Sequence, residues 1–478
     1  MTLVNGTSNK QLQRVVLLLA VGTLFSIFVF LLNPFGKYQL VWKYDDKASE
    51  KIANIRIRGK SSTEFSENIN STTDLQFSTV KFTENHHTTT PANKLDYDAL
   101  EKTALKKLKE STNKKVIIVW YKTGIGGGQP QVNRDECGNC EFTRNRTMIS
   151  NNATAALVFY YKDISVSTMP PISERNPNHM YVFWNKEPTP LMRYVHRKEL
   201  DFEENYQFNA TMTYRRDSDF YNSYRYHWIR AAIRSRISAQ DILKMKNKSS
   251  IAILSDCDWT AGARLRYKML LKIKSTGYPM DGFGKCFHEG GKFPLGDKQL
   301  VEKVRNYKFY FAFENSYHCT DYITEKFFRN ALYAGAVPVV MGSKKEHYEA
   351  ISPPGSFIFL EDFKSVEHLI EYLQHLEKND EEYLAYFRWR MGSENEAMPY
   401  DRRKPFFCQL CRTLHGVNVD DVYNPKYNFE NPKYPIFTNY TPRRTIKSLK
   451  YYLFEDEDPY CMEKNETFLP IYTKYNIT

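Results

Sequence analysis

The chain has 478 residues, enough for about two or three domains, and its 34 Tyr and 31 Phe exclude an intrinsically disordered protein. Its 67 Lys and Arg outnumber 55 Asp and Glu by 12, a balance that favours anionic partners such as nucleotides, phosphates or membrane surfaces. There is no zinc-finger spacing, no basic helix with heptads and no RNA-binding signature, so no nucleic acid partner is expected.

Val15 to Leu32 is an uncharged run of eighteen residues, long enough to cross a bilayer as one helix. Lys10 and Arg14 precede it, which leaves residues 1–14 as a short cytosolic tail. A cleaved signal peptide is the competing reading. It is disfavoured because the run exceeds a usual apolar core, and Leu32-Asn33-Pro34-Phe35-Gly36 lacks a small-x-small cleavage pattern. Residues 33–113 are polar and rich in Ser, Thr, Asn and Lys, the composition of a stem.

A body carried in the secretory lumen should bear glycosylation sequons, and they fall at Asn70, Asn145, Asn152, Asn209, Asn247, Asn439, Asn465 and Asn476. The eight cysteines are Cys137, Cys140, Cys257, Cys286, Cys319, Cys408, Cys411 and Cys461. The two Cys-x-x-Cys pairs could form a four-cysteine zinc site in a reducing compartment. An oxidising lumen favours disulfides.

Lys115 to Trp120 reads as a buried strand, followed by Gly124-Ile125-Gly126-Gly127-Gly128, which lacks the Gly-Lys-Ser/Thr of a P-loop. Ala155 to Tyr161 and Met180 to Trp184 are further apolar runs. The latter ends in Asn185-Lys186-Glu187-Pro188-Thr189-Pro190, where a carboxylate on a Pro-stiffened loop can project into a cleft. In Thr213-Tyr214-Arg215-Arg216-Asp217-Ser218-Asp219 the paired arginines suit either a phosphate clamp or a local Arg–Asp network. Ile251 to Leu254 is a strand, Ser255 to Trp259 a turn, and Leu265, Met269, Leu270 and Ile273 mark a helix with Arg264 at its N-terminal end.

The densest signal is a βαβ unit. Phe309 to Phe313 suits a strand buried on both faces; Ile323, Phe327, Phe328, Ala331 and Leu332 recur at helical spacing. Gly335 stands at the expected helix end. Ala336 to Met341 is the second strand, in which Pro338 suggests an edge or a bulge. Ligands bind where such strands end and helices begin. That rule brings Glu314, Asn315, Ser316, Tyr322, Glu325 and Lys326 around one crevice. Another amphipathic helix is expected over 361–380, followed by a Tyr- and Pro-rich tail from Cys408.

Phe311-Ala312-Phe313-Glu314-Asn315-Ser316, then Asp321-Tyr322-Ile323-Thr324-Glu325-Lys326, then Val337-Pro338-Val339-Val340-Met341-Gly342 closely resemble the signature of the α1,3-fucosyltransferases that use GDP-fucose. The arginine motif at 213–219, the Ser255 turn with Arg264, Tyr386 to Trp389, and Cys408-x-x-Cys411 also have counterparts there, so the likeness spans roughly residues 116–415. The resemblance implies an α/β fold of GT-B type, with two Rossmann-like domains facing a cleft, behind a single transmembrane helix and a stem. The expected boundaries are 114–245 for the acceptor-side domain, 246–407 for the donor domain, and 408–478 for a brace returning to the first. It also implies a Golgi membrane protein of single-pass type II, its catalytic part lumenal.

On the same resemblance Glu325 binds the ribose hydroxyls, and Lys326, Arg264, Tyr322 and Asn315 hold or flank the diphosphate. Glu314 and Ser316 belong to the donor-binding stretch, and at least one of Arg215 and Arg216 serves the donor side. Glu187 stands where the family has its catalytic base, in Glu-Pro-Thr-Pro where the family carries a Glu-Ser-Pro-like context. Cys137 and Cys140 would each pair with Cys408 or Cys411, the partners of Cys257, Cys286, Cys319 and Cys461 remaining open.

The implied reaction is an inverting transfer of fucose from GDP-fucose to O3 of N-acetylglucosamine on a glycan or glycoprotein. A carboxylate suits the base, and fixed cations suit the departing GDP. No Asp-x-Asp closes a buried strand, since Asp217 and Asp219 lie within the arginine motif. No cofactor or metal is therefore expected to be obligatory, a divalent ion being at most stimulatory. A transferase using another nucleotide sugar, or a membrane-anchored glycan-binding protein without catalysis, is the alternative.

Overall fold

The computed structural model describes residues 14–21, 24–32, 38–43, 96–120, 130–198, 200–224, 226–287, 296–397, 403–423 and 446–477. The glycine loop at 124–128 and the Asn70 and Asn439 sequons lie outside them. The chain divides into two compact units, residues 1–90 and 91–478.

In the first unit Arg14–Val21 (β1), Leu24–Leu32 (β2) and Tyr38–Lys43 (β3) form an antiparallel sheet in that order, with Val15 opposite Phe30 and Leu18 opposite Ile27. The single helix expected over residues 15–32 is thus corrected to two strands. An apolar run specifies burial but not winding, and the Val, Ile and Phe that fill this one favour extended backbone. Among the described residues no helix is long and apolar enough to cross a membrane.

The second unit holds two parallel sheets. Lys115–Trp120 (β4), Cys140–Thr143 (β5), Thr154–Tyr160 (β6), Met180–Trp184 (β7), Ala210–Thr213 (β8) and Phe220–Tyr221 (β9) form one. Their order is β5-β4-β6-β7-β8-β9. Lys248–Ile253 (β10), Met280–Phe283 (β11), Tyr307–Phe313 (β12), Val337–Met341 (β13) and Ile358–Phe359 (β14) form the other, in the order β11-β10-β12-β13-β14. Burial on both faces explains the unbroken apolar runs of β7 and β13.

Along β12 the pleat sends Phe309, Phe311 and Phe313 to one face and Tyr310 and Ala312 to the other. Helix Ala261–Ser275, which joins β10 to β11, packs Leu265, Met269, Leu270 and Ile273 on the first face. The wide-wound helix Lys326–Tyr333, which joins β12 to β13, packs Phe327, Phe328, Ala331 and Leu332 on the second. The connections leave β10 and β12 in opposite senses, so a crevice opens between their carboxyl ends.

Pro338 does not mark an edge strand. β13 lies between β12 and β14, but β14 reaches only Val339 and Val340, so one flank is open at Pro338 and a missing N–H breaks no ladder there. The stem is also shorter than expected. Helix Tyr97–Glu110 buries Ala104 and Leu108 against Val417 and Val419, and Glu101 meets Arg412 at 2.7 Å. Its four-residue apolar spacing was hidden in a stretch of polar average composition. The C-terminal residues serve both sheets: Leu449, Tyr452, Leu453 and Phe454 enter the first core, Leu469, Ile471 and Tyr475 the second.

Every cysteine is paired, as Cys137–Cys408, Cys140–Cys411, Cys257–Cys286 and Cys319–Cys461. The cysteines of the two Cys-x-x-Cys pairs are therefore not free as zinc thiolates, and neighbouring His415 shares a 2.9 Å hydrogen bond between its Nδ1 and Ser111 Oγ. Asn145, Asn152, Asn247, Asn465 and Asn476 are exposed, as glycan attachment requires. Asn209 is corrected: it is 7% exposed and its Oδ1 accepts the Tyr181 N–H at 2.7 Å, so the folded chain offers no accessible amide there.

The paired disulfides make a stability prediction. Each joins residues 271 apart, yet with one intact the other closes only a ring of a few residues. Loop-closure entropy then assigns about 2–3 kcal/mol to removing Cys140–Cys411 alone, and roughly three times that to removing both. Urea midpoints of the Cys140→Ser/Cys411→Ser variant and the four-serine variant, without reductant, check this; equal losses would contradict it.

Candidate active site

The loop from Glu314 to Lys326 is held by ionic groups beneath it. Glu314, 1% exposed at the tip of β12, accepts the Thr324 N–H at 2.8 Å and the Thr324 hydroxyl at 2.9 Å. Lys326 Nζ lies 3.2 Å from Glu314 Oε2 and 3.2 Å from Glu325 Oε1, and donates to Thr324 Oγ1 at 2.9 Å. Burial pushes the Glu314 pKa up, opposed by Lys326. Glu325 is also raised by burial, but Lys326, the local amide and Arg329 outweigh this and bring it down to about 2. Lys326, flanked by both carboxylates, is raised despite burial.

Two glycines allow the close packing. A Cβ on Gly342, whose φ is 142°, would stand 2.6 Å from Glu314 Cβ, and one on Gly262 would stand 2.6 Å from Ser316 Cα. The start of helix Ala261–Ser275 therefore lies directly on Asn315 and Ser316. Thr260 caps that helix at Ala263 N–H, 3.0 Å, and its hydroxyl also donates to the Asn315 carbonyl. Asn315 Nδ2 reaches Asp256 at 3.4 Å; Asn315 Oδ1 and Ser316 Oγ are buried without a hydrogen-bond partner.

The first sheet supplies the facing groups. Asn185 exchanges two hydrogen bonds with the Glu187 backbone, at 2.7 and 2.8 Å, which fixes the turn after β7. Glu187 Oε1 lies 3.5 Å from Lys162 Nζ. Tyr322 packs edge-on to Tyr214 at 5.0 Å. Burial, then Tyr224, Glu187, Glu314 and Glu325, raise the Tyr322 pKa well above the usual phenol value. Tyr224 is raised likewise by burial, Glu187, Glu325 and Glu314, and its hydroxyl donates to the Lys186 carbonyl at 2.7 Å. Burial lowers the Lys186 pKa against the opposing pull of Glu325 and Glu187. Glu187 thus shares its electrostatic neighbours with Glu314, Tyr322 and Glu325 of the second sheet.

The three arginines singled out in the sequence have other partners. Arg215, 4% exposed, holds Asp217 through two bonds of 3.0 and 2.9 Å, Asp456 at 2.6 Å and the Tyr452 carbonyl at 2.7 Å. Its guanidinium ties the first sheet to the C-terminal segment. Arg216 binds Asp321 through its backbone N–H and its Nε, both at 2.8 Å. Arg264 holds Glu466 at 2.6 Å and the Asp258 carbonyl at 2.8 Å, together with the Lys464 carbonyl.

Lys186 and Tyr224 were not singled out by sequence reasoning, nor was Arg266, which is 2% exposed and bonds the Asp256 and Phe313 carbonyls at 2.7 and 3.1 Å. Lys186 had a signal, its place beside Glu187. Arg266 follows Arg264 by two residues on the same helix, so its face was readable from the spacing.

Two parallel sheets that bring charged loops together at the carboxyl ends of their strands define an α/β enzyme whose ligands lie at those ends. Residues 112–225 match the N-terminal fucosyltransferase family, and 243–426 match glycosyltransferase family 10 (fucosyltransferase), C-terminal. The human 3-galactosyl-N-acetylglucosaminide 4-alpha-L-fucosyltransferase FUT3 is 37% identical over 279 residues, 58% of this chain and 71% of that protein. The human 4-galactosyl-N-acetylglucosaminide 3-alpha-L-fucosyltransferase FUT6 is 34% identical over 279 residues, with the same coverages. A crystal structure of an alpha1,3-fucosyltransferase with GDP-fucose aligns at a TM-score of 0.38 and 14% identity, over 64% of this chain and 90% of that one. The chain belongs to glycosyltransferase family 10, the fucosyltransferases.

The low pKa of Glu325 predicts an acid limb. Its folded value, about 2, lies below the ordinary 4.5, so its contribution to stability is complete above the unfolded value and is lost as pH falls through the folded one. Between those two values Glu325→Gln should lose stability less steeply than the wild type. Denaturation curves across that range test this, and parallel slopes would refute it.

Proposed function

We propose that the chain transfers L-fucose from GDP-fucose, with inversion, to O3 of an N-acetylglucosamine on N-glycans or related glycoconjugates. One observation carries the reading: Glu187 from the first sheet and Glu314 and Glu325 from the second act on the same two buried phenols, Tyr224 and Tyr322, and Lys326 pairs with Glu325 at 3.2 Å. Family membership and the activities in the relatives' names support it.

In this reading the acceptor hydroxyl attacks the fucose anomeric carbon and passes its proton to Glu187. The bond from that carbon to the diphosphate oxygen breaks, and GDP leaves with the added negative charge. Lys326, Tyr322 and Asn315, with Arg264 and the amides at the start of helix Ala261–Ser275, flank that charge, while Glu325 takes the ribose hydroxyls. The two sheets are then the halves of a GT-B type body. Arg215 acts from beneath, as the tie to Asp456, and Arg216, joined to Asp321, lies nearer the donor loop. These cations make a divalent metal dispensable, at most stimulatory.

Purified residues 91–478 with GDP-fucose and N-acetylglucosamine-terminated glycans should yield fucosylated product and GDP, with EDTA changing the rate by less than about twofold. Glu187→Gln should lose about a thousandfold or more in kcat, within the range for removing an essential base, with the GDP Kd retained. Turnover like the wild type would remove Glu187 from that role.

We also propose a Golgi membrane location, with the catalytic unit lumenal. The sequons beyond residue 32 and the fully paired cysteines support this. Resistance of the full chain to alkaline extraction from membranes, and a mass decrease on glycosidase digestion, are expected; a protein released by alkali and unaltered by glycosidase would refute it.

A further inference from the structure

The loop that carries Glu187 is gripped from the C-terminal tail. Thr189, two residues beyond Glu187 and fully buried, sets its hydroxyl 3.2 Å from Cys461 Sγ. That sulfur is bonded to Cys319 and has no proton to give, so the hydroxyl is the donor. Tyr194, on the wide-wound turn Leu191–Val195 that follows the loop, donates its hydroxyl to the Met462 carbonyl at 3.1 Å. The Lys464 ammonium covers the Tyr194 ring at 4.4 Å.

The same short run of the tail is fastened to the donor side. Glu457 accepts the Thr320 N–H at 2.7 Å, and Asp458 meets Lys344 at 2.6 Å. Cys461 is bonded to Cys319, and the Lys464 carbonyl and Glu466 carboxylate both accept from Arg264. Cys319 and Cys461 share one apolar cluster with Tyr214 and Tyr322, and Met462 packs against it. Residues 457–466 thus contact the Glu187 loop on one side and the donor loop on the other.

Pro188 and Pro190 stiffen the Glu187 loop but offer no N–H for a backbone ladder. Asn185 fixes the turn locally, while Thr189 and Tyr194 tie it to the tail. Their anchor belongs to the donor loop as well, through the Cys319–Cys461 bond. A shift of the donor loop therefore carries the anchor of the Glu187 loop with it. Proton transfer to a carboxylate depends on such spacing, since a misplacement of about 1 Å can cost about a hundredfold in rate.

We propose that Thr189 and the Cys319–Cys461 disulfide are positioning groups for the transfer: they hold the Glu187 loop in register with the donor loop, through a tail segment that supplies no group to the reaction. The inference rests on the transferase reading above and adds to it the origin of the base's placement. The disulfide acts on catalysis through Thr189, and Thr189 acts through the backbone that it shares with Glu187.

The test measures fucosyl transfer from GDP-fucose to an N-acetylglucosamine-terminated glycan by wild-type enzyme, Thr189→Val, Thr189→Ser and Cys319→Ser/Cys461→Ser. Thr189→Val, which keeps the shape and removes the hydroxyl, should lower kcat by about tenfold, with the calorimetric GDP Kd within about twofold of the wild type. Thr189→Ser, which keeps the hydroxyl, should stay within about twofold in kcat. The double-serine variant should lose about a hundredfold in kcat. The Thr189 pair leaves both cysteines in place, so its result stands whether or not the double-serine variant folds. Wild-type kcat in Thr189→Val, equal losses in Thr189→Val and Thr189→Ser, or GDP binding lost in step with kcat would each overturn the positioning role. If the wild type fucosylates no acceptor while GDP still binds, the transferase reading fails, and the positioning role with it.

Discussion

The contact between Glu314 and Lys326, 3.2 Å apart beneath the β12 loop, is the constraint on which the donor side depends. A carboxylate and an ammonium removed from water are tolerable only with good geometry and further hydrogen bonds, and Thr324 supplies those to both partners. The pair ties the end of β12 to the start of the following helix, the eleven residues between the two partners collapsed onto one ion pair. Asn315, Ser316, Tyr322 and Glu325 take their positions from that closure. Gly342 and Gly262 are subordinate to it, since each leaves room for backbone or side chain that the closure brings near.

A donor half alone cannot perform a transfer; the facing half must hold its register. Arg216 to Asp321 crosses from the arginine motif to the donor loop. Arg215 reaches Asp456 in the C-terminal segment, Glu457 accepts the Thr320 N–H at 2.7 Å, and Cys461 is bonded to Cys319. Three consecutive parts of one route, an arginine, a carboxylate and a disulfide, thus join the first sheet to the donor loop through the tail. The arrangement explains why so conspicuous a pair of arginines is largely engaged with protein carboxylates: their charge fixes the relative position of the two sheets.

The sequence exposed the elements whose pattern was local. β4, β6, β7, β10, β12 and β13 are apolar runs because parallel strands are buried on both faces, and the polar loop after β12 stood out against them. Short strands such as β9 and β14, two residues each, have too few positions to show any period. The run at 15–32 failed differently: apolarity over eighteen residues is compatible with either winding, and β-branched and aromatic content carried the distinction. Long-range partners were the least visible. Nothing in the arginine motif names Asp456 or Asp321, and the burial of Asn209 follows from its bond to Tyr181 across two strands.

The distribution of charge in the cleft separates the parts of a nucleotide sugar. Glu314 and Glu325 already flank Lys326, so a diphosphate approaching from their side meets two carboxylates, one of them held ionised far into acid. Neutral hydroxyls, such as those of the ribose in the proposed reading, meet no such penalty, and a carboxylate offers them charge-assisted bonds. The favourable approach for the phosphates is from the opposite side, where the N-terminus of helix Ala261–Ser275 lies on Asn315 and Ser316 and contributes positive potential without a side chain. Glu187, from the first sheet, acts on Tyr322 and Tyr224 together with Glu314 and Glu325. Inversion at the anomeric carbon requires a base on one side of the sugar and a stabilised leaving group on the other, the two roles that the proposed transfer divides between the first and the second sheet.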